Sequence, residues 1–232
     1  MERRLQALRW ALQDDDPRVR EAAAAALDRA EHLVSPERLR ALVRTEPDKG
    51  RRLAALYTLG TLRDRGAAGL LQELVFSDED DDVRVAALKS LAGAAGTDAV
   101  ETLAQALASD SPYVAAAAAQ ALGELGARDA VEALQTALGN EHRAVAEAAA
   151  LSLGLLREPS AVPALAVALA RREESVRVAG AEALGRIASA SATEPLATAA
   201  RDESAEVRLA AVTALGMLEP LPGDADSAGN PA

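Results

Sequence analysis

The chain has 232 residues, of which 58 are alanine and four are aromatic, and its formal net charge is −11. Small helix-forming residues in this proportion argue against an all-β protein and against a core built on aromatic side chains. The acidic balance disfavours binding to nucleic acids or to anionic membranes, because both usually require a basic surface. Cysteine is absent, which excludes disulfides, thiolate metal sites and cysteine nucleophiles.

The apolar residues do not form a segment long enough to cross a membrane. Runs such as Ala115–Ala119 are far shorter than the roughly 18 residues that a transmembrane helix needs. The first residues alternate apolar and charged side chains, unlike a signal peptide. We therefore expect a cytoplasmic protein, and the predominance of arginine over lysine together with the many alanines suggests a GC-rich bacterial source.

The dominant feature of the sequence is a tandem repeat with a period of 31 or 32 residues. Each copy contains an Ala-Leu-Gly-like segment, whose leucines are Leu27, Leu59, Leu91, Leu122, Leu153, Leu184 and Leu215. Eight residues before each leucine is a position that we call the valine position, occupied by Val19, Arg51, Val83, Val114, Val145, Val176 and Val207. Seven copies in this register predict an array of stacked structural repeats.

Each copy contains two helical patterns. The first helix reads A-V-x-x-L-x-x-A-L, and its predicted N-caps are Asp98, Asp129, Ser160 and Thr193. The second helix reads V-R-x-x-A-A-x-A-L-G, which places the valine, the alanine four residues later and the leucine on one face. Its predicted N-caps are Asp16, Asp48, Asp80, Ser111, His142, Glu173 and Ser204.

Two features of the second helix predict how neighbouring repeats touch. Glycine follows the leucine in five copies, although it costs about 1 kcal/mol within a helix relative to alanine. Its recurrence predicts a close approach of the neighbouring helix. The arginine after the valine position is expected to brace adjacent repeats, and its replacement by Ala115 and Ala146 predicts a more pliable middle of the array.

The acidic cap, the V-R pair and the A-A-x-A-L-G run together resemble the HEAT-like repeats of the phycobilisome-lyase type, over about residues 1–219. The resemblance implies an all-α, right-handed α-solenoid of about seven two-helix repeats. The predicted repeats are 1–32, 33–65, 66–96, 97–127, 128–158, 159–189 and 190–219. The last residues, 220–232, have no period and many Pro, Gly and Asp residues, so we predict a disordered tail.

No motif in the sequence predicts an enzyme, a metal or a cofactor. The acidic run 78–82 does not match a calcium loop, which would require glycine at Val83 and glutamate at Lys89, and its place before a second helix favours helix capping. Hydroxylases with HEAT repeats hold a di-iron centre with several His-Glu pairs, whereas this chain has only His32 and His142. The one tryptophan, Trp10, lies off the apolar stripe and is predicted to pack partly on the N-terminal end.

The resemblance also implies that the second helices line the concave side. There, positions two, six and ten after the valine position lie opposite the core stripe. Position two is interpreted as half-buried between helices, which would explain Leu53, Val85, Val178 and Leu209. The predicted partner-binding residues are Tyr57, Lys89, Gln120, Glu147, Leu151, Leu155, Glu182, Arg186, Thr213 and Met217.

These residues predict a non-catalytic scaffold or adaptor that holds a segment of a partner protein on its concave face. The alternative is a HEAT-like subunit of a lyase-type or other enzyme complex, for example a bilin chromophore lyase. The last helix pair has no polar capping repeat after it, so edge-mediated self-association is a further expectation.

Overall fold

A computed structural model of the chain describes residues 35–218 without interruption, and of the N-terminal part residues 2–11, 13, 14, 16, 18, 19, 22, 23 and 26. This part of the chain contains α-helices and short 3-10 turns, with no strand. The helices are α1 (Glu2–Ala11), α2 (Pro36–Thr45), α3 (Lys49–Thr61), α4 (Ala68–Ser77), α5 (Asp81–Ala95), α6 (Val100–Ala106), α7 (Pro112–Glu124), α8 (Val131–Ala137), α9 (Arg143–Leu156), α10 (Val162–Ala168), α11 (Glu174–Ile187), α12 (Thr193–Ala199) and α13 (Ala205–Leu215).

From α2 onward the helices form pairs, each made of a short first helix and a longer second helix. Each second helix packs on the first helix of its own pair and on the second helices of the neighbouring pairs. The first helices of neighbouring pairs have few contacts with one another. The stack therefore curves toward its second helices, which line the inner side, and the predicted α-solenoid is confirmed.

The repeat leucines form the centre of one elongated core. Leu59, Leu91, Leu122, Leu153 and Leu184 are completely buried, as are most residues at the valine position from Val83 onward. Leu215 is half-buried, and Leu27 lies outside the described residues. The repeat boundaries remain predictions, and the predicted disordered tail also lies outside the described residues.

The predicted N-caps of the second helices are confirmed where the capping side chain is an aspartate or a serine. Asp48, Asp80, Ser111 and Ser204 each accept a hydrogen bond from a backbone N–H in the first turn. His142 and Glu173 occupy the N-cap position without such a side-chain bond.

The predicted N-caps of the first helices are wrong. Asp98, Asp129 and Ser160 lie inside short 3-10 turns, and the α-helices begin one residue after buried alanines. Thr193 is the first residue of α12 and not its cap. The 3-10 turn supplies i→i+3 hydrogen bonds at the helix entrance, so a side-chain cap is not needed there.

The arginine after the valine position does connect adjacent repeats. Arg84 is typical: its Nε donates to the carbonyl of Val75 at 3.0 Å and its guanidinium to Ser109 Oγ of the next repeat at 2.8 Å. Arg52 and Arg177 reach the following repeat in the same way. Each arginine thus satisfies carbonyls at the end of a first helix and anchors the next loop.

The middle of the array departs from this pattern. Ala115 and Ala146 replace the arginine, but Arg171 of the sixth repeat reaches back and donates to the carbonyls of Leu138 and Asn140, each at 3.0 Å. Among the described residues, no arginine side chain is hydrogen-bonded across the junction between the fourth and fifth repeats.

In four of the five copies the glycine after the leucine marks a close approach of neighbouring second helices, as predicted; Gly216, after the last described second helix, has no such neighbour. A Cβ on Gly154 would lie 2.8 Å from Ala183 Cα, and one on Gly60 would lie 2.7 Å from Ser90 Cα. Gly123 and Gly185 have equally close neighbours. These positions have no room for a side chain because the partner atoms belong to, or lie next to, the backbone of the next helix.

Gly154→Ala is expected to destabilise the fold by about 1–3 kcal/mol, although alanine favours the helix, because the next helix must move away. Gly69→Ala in α4 is the control, since a Cβ there meets nothing within 4 Å. It should raise stability by about 0.5 kcal/mol through helix propensity alone. Chemical denaturation measures both values, and a stabilising Gly154→Ala would contradict the close approach.

Two further features concern the surface. Trp10 is 76% exposed on α1, so the expected partial packing is wrong: its position off the apolar stripe turns the ring to solvent. No helix in the described part of the chain is long and apolar enough to span a bilayer.

Candidate functional site

The predicted partner-binding residues lie on the inner side of the solenoid with different exposures. Lys89, Gln120, Tyr57, Leu155, Met217, Glu182, Arg186 and Thr213 are exposed. The three large apolar ones, Tyr57, Leu155 and Met217, are 47%, 49% and 53% exposed. Glu147 and Leu151 are only partly exposed, and Leu151 packs against the core, so it offers little free apolar surface.

The half-buried character of position two is confirmed for Leu53, Val85 and Val178, which pack against the core between neighbouring helices. It is wrong for Leu209, which is 63% exposed. Leu209 lies on α13, and no described helix stacks on the far side of α13. The same position therefore has different surroundings in an inner repeat and in the last described one.

A central groove with a volume of about 660 Å³ crosses α5, α7 and α9 on the inner side. The floor of the groove is apolar and consists of small side chains, those of Val85, Ala116 and Ala117. Its polar walls contain Asp80, Asp81, Asp82, Lys89, Gln120, His142 and Arg143. Of the predicted residues, this groove brings together Lys89 and Gln120.

Tyr113 is a central-groove residue that the sequence prediction missed, and its side chain is 74% exposed. It stands one residue before the valine position, which is the same side of the helix as positions two, six and ten. Asp82, Ala144 and Glu206 occupy the equivalent place in their repeats and also line grooves. Including this position in the periodic pattern would have found them.

A second groove, which we call the C-terminal groove, has a volume of about 390 Å³ and lies between α11 and α13. It brings together Glu182, Arg186, Thr213 and Met217 of the predicted set. Tyr57, Glu147, Leu151 and Leu155 line neither of these two grooves. Six of the ten predicted residues thus fall into two separate grooves, and the predicted set does not form one continuous strip.

The three aspartates of the central groove are held by neighbouring cations. Lys49 Nζ lies 2.6 Å from Asp80 Oδ2 and 2.7 Å from Asp82 Oδ2. The hydrogen bond from Lys49 lowers the pKa of Asp80, and the same contacts raise the pKa of Lys49. Asp81 pairs with Arg84 at 3.1 Å. These carboxylates therefore cap α5 and join repeats.

Two smaller features extend the central groove toward the C-terminal ends of the helices. A narrow groove of about 190 Å³ contains Lys89, Gln120 and Glu124. It adjoins a larger one of about 650 Å³, the edge groove, which also contains Lys89 and whose wall includes Arg63 and Arg65. Lys89 thus lines the central, narrow and edge grooves.

The grooves combine apolar floors with charged walls. In the described part of the chain, no three His, Asp or Glu side chains are grouped closely enough to hold a metal ion. The groove floors consist largely of alanine and valine side chains, while the walls carry separated charges. Shallow apolar floors with charged rims are typical of surfaces that contact polypeptides.

The fold and the grooves define an α-solenoid repeat protein. The family model of HEAT repeats matches residues 2–60, 36–111, 100–175 and 165–228, and the chain belongs to this family. No significant match was found among curated protein sequences.

Several solved structures are similar. The crystal structure of an engineered protein is 25% identical, with 77% of this chain and 95% of that chain covered and a TM-score of 0.54. A designed armadillo repeat protein in complex with the peptide (KR)4 is 20% identical, with coverages of 78% and 99% and a TM-score of 0.53. The complex of CpcE and CpcF of phycocyanin lyase from Nostoc sp. PCC7120 is 26% identical, with coverages of 91% and 86% and a TM-score of 0.47.

Proposed function

We propose that this chain is a non-catalytic protein-binding scaffold or adaptor that holds a segment of a partner protein on its concave face. The observation that carries the proposal is the row of grooves along the second helices. These grooves have apolar floors and exposed side chains along their walls. Repeat solenoids present such extended inner surfaces to their partners.

The exposed apolar residues of the inner side support this function. Tyr57, Tyr113 and Met217 are each about half exposed or more, and none of them is needed to fill the core. Tyrosine and methionine are enriched where proteins meet, because they supply contact area that adapts to a partner. The predicted residues Lys89, Gln120, Glu182, Arg186 and Thr213 supply the polar rim of the proposed surface, with Glu147 and Leu155 beside it.

The experiment compares affinity capture by the wild type with capture by Tyr57→Asp and Tyr113→Asp, followed by mass spectrometry. Both substitutions place a charge on an exposed inner position, so captured partners should be lost while helicity and melting temperature stay nearly unchanged. Leu151 is avoided because its partial burial against the core would confuse binding with stability.

Val167→Asp is the matched control, because Val167 is 72% exposed on α10, a first helix on the outer side. It should retain the partners that the two tyrosine variants lose. Partners that survive both tyrosine variants but are lost with Val167→Asp would place binding on the outer side and contradict the proposal.

A further inference from the structure

The inner surface carries a group of cations that pair with no acidic side chain of the described residues. The central, narrow and edge grooves share Lys89, and we call them together the joined grooves. Four cationic residues line them: Lys89, Arg143, Arg63 and Arg65. None of the four has a salt bridge or hydrogen bond from its side-chain nitrogens to a described residue. We call these four residues the cationic strip.

Most carboxylates near the cationic strip, unlike its cations, are paired with an opposite charge. Asp80, Asp81 and Asp82 contact Lys49 and Arg84, and Asp80 also accepts a backbone hydrogen bond at the start of α5. Glu124 is the carboxylate of the edge groove that is exposed and has no described salt bridge. Because the three aspartates share two cations, one negative charge there and Glu124 stand against the four cations of the strip, so the excess charge along the joined grooves is positive although the whole chain is acidic.

We propose that the joined grooves bind an acidic, extended segment of a partner protein, in which carboxylates meet the cationic strip and a large apolar side chain packs beside Tyr113. This inference rests on the proposed scaffold function and names the chemistry of its partner. Charge complementarity of this kind fixes the register and the choice of a partner more than the affinity.

The dimensions agree with a short peptide segment. The joined grooves follow α5, which has 15 residues and is about 22 Å long. An extended segment of roughly seven residues covers that distance. The small side chains of Ala116 and Ala117 on the floor let main-chain groups of such a segment approach α7 closely.

The net charge of −11 favours a protein segment over a nucleic acid as the anionic partner. At physiological salt the Debye length is about 8 Å, so the local cations outweigh distant carboxylates for a short segment lying in the groove. A long polyanion would extend beyond the strip onto acidic surface. One tyrosine beside the strip also offers little base stacking.

The test is selection from a phage library of random peptides of about 12 residues, on the full chain and on the double variant Lys89→Glu/Arg143→Glu. The wild type should select peptides rich in Asp and Glu with at least one large apolar residue. The double variant should reject them and select basic peptides. Identical selections, neutral or basic wild-type peptides, or no enrichment on the wild type would each overturn the inference.

A selected acidic peptide, labelled and measured by fluorescence anisotropy, should bind Lys89→Glu about tenfold more weakly or worse. Arg201→Glu is the control, because Arg201 is exposed after α12 and lines none of the grooves described, and it should change binding by less than about twofold. A single-stranded oligodeoxynucleotide that binds as tightly as the peptide would overturn the choice of partner.

The outcomes separate this inference from the proposed function. If Tyr113→Asp loses captured partners but the selected peptides are not acidic, the scaffold function stands and the cationic strip is not its recognition element. If neither tyrosine variant loses a partner and the peptide selection fails, both proposals fall.

Discussion

Leu153→Ala is expected to lower the free energy of unfolding by about 2–5 kcal/mol. Leu153 is completely buried in α9, which packs against α7 on one side and α11 on the other. Removing the leucine side chain leaves a cavity. The helices around it already touch at Gly123 and Gly154, so they cannot move inward easily to fill it. Chemical denaturation of the full chain measures the effect.

Leu155→Ala is the matched control, since it removes the same atoms two residues along the same helix, where the side chain is 49% exposed. It should cost less than about 1 kcal/mol, because surface substitutions leave no cavity. If Leu153→Ala lowers the free energy of unfolding by less than about 0.5 kcal/mol, far below the usual cost of truncating a buried leucine, the leucine register does not define the core.

The fold can be predicted well from the sequence because the same pattern of apolar and small residues recurs in every repeat. The buried leucines and the glycine contacts both follow from a period of 31 or 32 residues and the geometry of one helix. The starts of the first helices were not predictable in the same way. Asp98 and Ser160 are ordinary capping residue types, and the 3-10 turn that displaces them depends on how the chain enters the helix pair.

The candidate site is predictable only in part, because exposure on a helix depends on its neighbours as well as on its own period. Periodicity selected Lys89 and Gln120 correctly as exposed inner residues. It could not show that Leu151 packs against the core or that Leu209 lies uncovered on α13, since both depend on what stacks beside the helix. Tyr113 was missed because the pattern began two residues after the valine position.

Arg177→Met is expected to destabilise the fold by about 3 kcal/mol, in the range measured when one partner of a buried ion pair is removed. Arg177 is only 6% exposed, and its Nε and a terminal nitrogen donate to Asp202 at 2.8 and 2.9 Å. Its other terminal nitrogen donates to the carbonyls of Arg171 and Arg172, each at 3.0 Å. Methionine keeps much of the side-chain volume but leaves these acceptors without a donor.

The pH dependence of this variant tests whether the charge pair is responsible. The hydrogen bond from Arg177 lowers the pKa of Asp202 below its ordinary value of 3.8. A carboxyl group with a lowered folded-state pKa contributes stability above its unfolded-state pKa and loses it as the pH falls through the folded value. The difference in melting temperature between wild type and Arg177→Met should therefore be full at neutral pH and should narrow below about pH 4.

Arg208→Met provides the control for both measurements, since Arg208 occupies the same repeat position in the last repeat. It is exposed and donates to the backbone carbonyls of Asp202 and Glu203, at 2.8 and 2.9 Å. Removing these hydrogen bonds at an exposed site should cost about 1 kcal/mol or less, with little change on acidification. A difference for Arg177→Met that stays constant down to about pH 2 would mean that the backbone hydrogen bonds of Arg177 within the sixth repeat, and not its pair with Asp202, account for the lost stability.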